Sequence, residues 1–126
     1  MKSIELQLHD IVKDEGGFRM FVSSLGEDWM YLDFEGNEGD VWEEEEAFPA
    51  ELTVSELSEQ GWTLRGGLMI LDNVVDGNKF RLAWDPRALK FYIGYGELPH
   101  PVRYIHEVQH ILRDCGFVEL ANSFKA

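Results

Sequence analysis

Only one cysteine, Cys115, stands in the 126 residues. An intramolecular disulfide is therefore excluded, and a reducing compartment, the cytoplasm, is the expected setting. No apolar run approaches the roughly 18 residues that a bilayer demands, so no membrane partner is expected. The opening MKSIELQLHDIVKDEGG lacks an apolar core followed by a small-residue cleavage site, and no leader peptide is expected. Basic residues are the other shortage: 11 Lys and Arg face 24 Asp and Glu, a net charge of −13. Direct binding to a phosphate backbone needs basic groups that displace counterions, so nucleic acid is not expected as a direct ligand. Internal repeats are absent, and Glu43 to Glu46 form the only low-complexity run.

What remains is enough for a core. Apolar residues make up 44% and aromatics 13%, and a chain of this length buries about two-thirds of its unfolded surface. A single domain over 1–126 is expected. The charge divides it into two subregions. Residues 1–60 hold 17 Asp and Glu against Lys2, Lys13 and Arg19, a net −14, while residues 61–126 hold 7 against 8, a net +1. Such a field favours a basic partner or simply keeps the chain soluble.

Residues 1–50 form the acidic subregion, and its hydropathy has the period of strands. IELQL alternates Ile4, Leu6 and Leu8 with polar residues, which predicts a half-buried strand. HDIV, FRMFVSS, WMYLDF and VWEEEE follow, separated by the turn clusters KDEGG, LGED and EGNEGD. Closely spaced hairpins of this kind predict a bent, SH3-like antiparallel barrel. Residues 51–126 change rhythm. Thr53 followed by Glu56 is a capping box, and Gly61 suits the position just past a helix, so a short helix is expected between them. GGLMILDN, KFRLAWD and LKFYIG, punctuated by Asp76-Gly77 and Asp85-Pro86, predict an antiparallel meander. Pro101 fits a first helical position and opens a final helix expected to end at Gly116 and to cover the meander. FVELANSFKA is expected as a short strand or tail. The class is α+β.

That final helix spells HEVQH, His106 to His110. Two imidazoles at i and i+4 share a helix face and can grip zinc, with Glu107 as general base toward a bound water. A catalytic zinc also needs a third protein ligand. Arg113 and Gly116 stand three and six residues after His110, where the extended zinc pattern requires glycine and histidine. Glu119 and Asp114 are poorly spaced substitutes. Ile105, Val108, Leu112 and Cys115 follow the 3, 4, 3 spacing of a buried stripe. His106, Glu107, His110 and Asp114 fall on the opposite side, so both imidazoles are expected on an outward polar face. This reading assigns no catalytic residue, cofactor or metal ligand. Zinc held by His106 and His110, with Glu107 as base, is the alternative.

Glu43 to Glu46 could draw a basic partner or a hard cation, but adjacent side chains on a strand point apart, and a solvated strand end is the expected role. Seventeen carboxylates in 60 residues also allow mimicry of a nucleic acid. Trp29, Tyr31, Trp42, Trp62, Trp84, Phe91, Tyr92 and Tyr95 at strand positions are expected in the core, with a ligand groove as the alternative. Gly94 and Gly96 lead to no phosphate-cradling loop. Cys115 closes the apolar stripe and is expected to act as a small hydrophobe.

DIV near a glycine turn, PAELTVSELSEQGW, LKFYIG and YIHEVQHILRDCG together resemble a group of small uncharacterised proteins common in Bacteroidetes genomes and their phages. The matching positions are Leu52-Thr53, Gly61-Trp62, and Tyr104, Ile105, His106, Val108 and Gln109. The resemblance covers most of the chain. It implies a fold and a genomic context rather than an activity, and no fixed histidine at position 110. The expected function is a non-enzymatic interaction or accessory protein of the bacterial cytoplasm or a mobile element, with a protein partner of basic charge. A zinc hydrolase is the first alternative. An acidic nucleic-acid mimic that binds a basic DNA-binding protein is the second. Oligomeric state is not specified by the sequence.

Overall fold

The computed structural model describes residues 1–35, 42–44, 46–75 and 78–126. It is an α+β chain with two five-stranded antiparallel sheets and short helices. Two compact units share the chain: Met1–Glu51 with Tyr104–Ala126, and Leu52–Arg103. Unit 1 is thus discontinuous, built from both ends of the sequence.

Unit 1 carries strands β1 (Ile11–Lys13), β2 (Arg19–Leu25), β3 (Met30–Asp33), β4 (Trp42–Glu44) and β5 (Phe48–Pro49), ordered β4-β3-β2-β1-β5. The expected hairpins are present. Strands β4 and β5 lie at opposite sheet edges although only three residues separate them, so the sheet must curl into a half-barrel. Its core is the set of alternate, inward side chains of those strands: Val12, Met20, Val22, Met30 and Leu32, with Leu6 and Ala47. The period-2 pattern dictates this, because successive side chains on a strand take opposite faces. A bulge between Val22 and Ser24 shifts the register against β3.

The first apolar alternation behaves differently. Ser3–Glu5 forms a single 3-10 turn instead of a strand, and Ile4 and Leu8 lie exposed while Leu6 is buried. Of the three alternating residues, only Leu6 reaches the core.

Unit 2 opens with helix α1 (Val54–Glu59), capped as expected: Thr53 Oγ1 accepts the Glu56 N–H at 3.1 Å. Gly61, at φ +90°, takes the left-handed turn that ends it, with Trp62 N–H donating back to the Leu57 carbonyl. Strands β6 (Thr63–Arg65), β7 (Leu68–Val75), β8 (Asn78–Trp84), β9 (Phe91–Ile93) and β10 (Gly96–Glu97) follow in the order β10-β9-β8-β7-β6. The expected three-stranded meander is therefore extended by one short strand on each edge. Trp62, Met69, Leu82, Trp84 and Phe91 are buried, and Trp84 Nε1–H donates to the Val102 carbonyl at 2.9 Å. Asp85 Oδ1 accepts from the Arg87 and Ala88 N–H groups, which makes the Asp85-Pro86 turn. The Asp76-Gly77 turn and most of EGNEGD lie outside the described residues.

The chain returns to unit 1 at Tyr104. Helix α2 spans Ile105–Asp114 and α3 spans Val118–Asn122. Helix α2 starts four residues later than Pro101, because Leu52 N–H donates to the Arg103 carbonyl and Glu51 bridges Tyr104 in extended geometry. Ile105, Val108 and Leu112 are buried as the periodicity requires. Within unit 1 they pack against β1. Residues 118–122, expected as strand or tail, are helical.

Candidate functional site

Helix α2 is where the chemistry-bearing residues gather, and nearly every one has a partner. Glu107 occupies the third position of the helix, and its Oε1 accepts the Tyr104 N–H at 3.0 Å. It closes an otherwise unpaired backbone donor of the first turn. The carboxylate that a zinc hydrolase would use as base thus serves the helix end.

His110 does not face outward. Its Nε2 lies 2.6 Å from Asp10 Oδ2, and Asp10 is fully buried. Arg113 Nη1 donates to the other oxygen, Oδ1, at 2.6 Å, and also to Gln7 Oε1 at 3.0 Å. The Gln7 N–H supplies a further donor to Asp10 Oδ2 at 2.8 Å. A carboxylate taken out of water needs such charge-assisted bonds to both oxygens. His110 and Arg113 lie three apart on one helix face, so one helix supplies both.

Gln109 is the buried polar residue of the helix itself. Its Oε1 accepts the Ile11 N–H at 2.8 Å, while Nε2 donates to the His9 carbonyl at 2.8 Å and the Ala121 carbonyl at 3.0 Å. One side chain thereby joins the start of β1 to α2 and α3.

His106 is half-buried. Its ring stacks on Tyr104 at 5.9 Å and meets the His110 ring edge-on at 5.6 Å. Its Nδ1 is buried without a hydrogen-bond partner. Burial holds its pKa below the ordinary value; Asp10 opposes that and His110 adds to it. The expectation that both imidazoles face solvent is therefore corrected: one is bonded to a buried carboxylate and the other is packed between two rings. Among the described residues, no three His, Cys, Asp or Glu side chains are grouped to hold a metal ion. Cys115, at the end of the apolar stripe, is only partly buried, and desolvation raises its thiol pKa.

The glutamate run lies elsewhere in unit 1. Glu43 and Glu44 are exposed on the edge strand β4, and Glu46 accepts from the Met1 amino group at 3.4 Å. Glu45 lies outside the described residues. With Asp14, Glu15 and the half-exposed Phe48, those three glutamates line a concavity of about 550 Å³. Counted by unit, the imbalance of charge is complete. Unit 1 has 18 Asp and Glu against 5 Lys and Arg, a net −13, and unit 2 has 6 against 6, a net zero.

Asp10, Gln109 and Arg113 escaped the linear reading. Gln109 did leave a trace, since it sits four residues after Ile105 in the buried stripe, where an amide must find buried partners. Asp10 left none, because its partners lie about a hundred residues away in sequence. No protein-family model, curated protein or solved structure matches the chain.

Proposed function

We propose that the chain is a non-enzymatic interaction protein that takes a basic protein partner against the acidic concavity of unit 1. The observation that carries this reading is the gathering of Asp14, Glu15, Glu43, Glu44 and Glu46 around one concave surface, in the unit that holds the whole net charge. Carboxylates from the β1–β2 turn, from β4 and from the link between β4 and β5 meet there, so the curl of the sheet focuses a field that a flat sheet would spread. The HEVQH segment supports the same reading from the other side: Glu107 is bonded to the helix start and His110 to Asp10. The resemblance to small proteins of bacteria and their phages fits an accessory role in the cytoplasm. No helix is long and apolar enough to cross a membrane among the described residues.

The test is charge reversal. The full chain, immobilised, should retain a basic protein from bacterial lysate at low salt and release it as salt rises. The doubly substituted Glu15→Lys, Glu44→Lys chain, both sites being exposed, should fold and retain none of it. Retention of the same protein by the reversed chain would refute the concavity as the docking surface.

A further inference from the structure

Among the described residues, His9 is one of two other than glycine with positive φ, at +69°, where an L side chain is strained. Backbone bonds on both sides hold it there. The His9 N–H donates to the Val22 carbonyl at 2.8 Å, and the His9 carbonyl accepts from the buried Gln109 amide at 2.8 Å. The result is an exposed imidazole stacked at 6.3 Å and 19° on Phe21, on the wall of a cavity of about 490 Å³. That volume lies in the range of small-molecule sites.

The opposite wall is fixed by the same helix together with β2. Gln109 also holds the Ala121 carbonyl, Arg113 Nη2 donates to Asn122 Oδ1 at 3.1 Å, and Arg19 Nη2 donates to the Lys125 carbonyl at 3.1 Å. Phe124 is buried beside them. The polar network around Asp10 and Gln109 therefore sets the distance between the two walls, which gives buried polar groups a positioning role beyond stability.

We propose that this cavity binds a small aromatic amine carrying a positive charge. Phe21, Phe34, Phe124 and the His9 ring offer apolar faces for a planar body, and aromatic faces attract a cation. Asp33 and Glu35 line the same cavity and provide carboxylates for the ammonium group. Lys125 also lines it, and Arg19 and Arg113 donate to its wall, while unit 1 as a whole carries a net −13. The backbone bonds that fix His9 in this conformation leave its ring stacked on Phe21 at the wall of the cavity, open to a ligand.

The experiment titrates the full chain with tryptamine, neutral indole and anionic indole-3-acetate, followed by NMR shifts of His9, Phe21 and Phe124. Tryptamine should bind tightest and indole-3-acetate weakest. His9→Gly is the decisive variant, because glycine accepts the left-handed backbone. It should melt at or above the temperature of the parent chain and yet bind tryptamine about tenfold more weakly. Asp33→Asn with Glu35→Gln should narrow the gap between tryptamine and indole. No shift of the cavity resonances, equal affinity for all three probes, or unchanged affinity in His9→Gly would each overturn the proposal.

Discussion

At the scale of one residue, His106 shows how burial turns into pH dependence. Its imidazole is half-buried between Tyr104 and His110 with an unpartnered Nδ1, and its pKa is lowered from 6.5, first by desolvation. The folded chain therefore keeps it neutral at a pH where the unfolded chain takes up a proton. Above about pH 6.5 neither state is charged at this site and stability is indifferent to it. As pH falls through that value, the unfolded state alone binds the proton, so stability declines until the lower folded pKa is passed. His106→Phe retains a ring against Tyr104 and cannot titrate. Urea midpoints of the two chains from about pH 7 to about pH 5 should diverge in favour of the variant. Parallel curves would show that His106 bears no part of the acid sensitivity.

At the scale of elements, the sequence was readable wherever local chemistry decided the outcome. Thr53 and Gly61 marked both ends of α1, and the strand-forming residues of FRMFVSS and WMYLDF, set between turn clusters, marked β2 and β3. It was unreadable where a distant partner decided. The 3-10 turn at Ser3–Glu5 has the same alternation as a strand but pairs with no strand among the described residues. Helix α2 has an apolar stripe that fits any sheet, and its choice of β1 depends on Asp10 and Gln109 meeting residues about a hundred positions apart. That choice can be tested. Asp10→Ala leaves the Arg113 guanidinium beside a buried void and should cost about 3–5 kcal/mol in a denaturant melt. Arg113→Ala should cost a similar amount, and the double variant clearly less than the sum of the two, since both remove one shared interaction. Additive losses, or a cost under about 1 kcal/mol for Asp10→Ala, would mean that apolar contacts alone seat the helix.

At the scale of the whole molecule, charge distinguishes the two units more sharply than fold does. Unit 1 gathers 18 carboxylate residues against 5 basic ones, whereas unit 2 is balanced at 6 and 6. Within unit 2 the charges are arranged as pairs: Asp72 bridges Arg65 at 2.7 Å and Arg81 at 2.8 Å, and Lys90 meets Glu97 at 3.2 Å, all of them exposed. Arg81 and then Arg65 hold the Asp72 pKa below the carboxylate norm. Salt should therefore act on the units with opposite sign. Screening relieves the self-repulsion of unit 1, whose like charges lie within a Debye length of about 10 Å at 0.1 M. The same screening slightly weakens the exposed pairs of unit 2. Amide hydrogen exchange at about 0.01 M and about 0.5 M sodium chloride reads the two separately. Protection of Val12, Met20, Val22 and Leu32 should rise with salt, and that of Met69, Leu82 and Trp84 should hold or fall. A rise shared equally by both sets would show that the units open as one cooperative block, and the local field of unit 1 would then not set its stability.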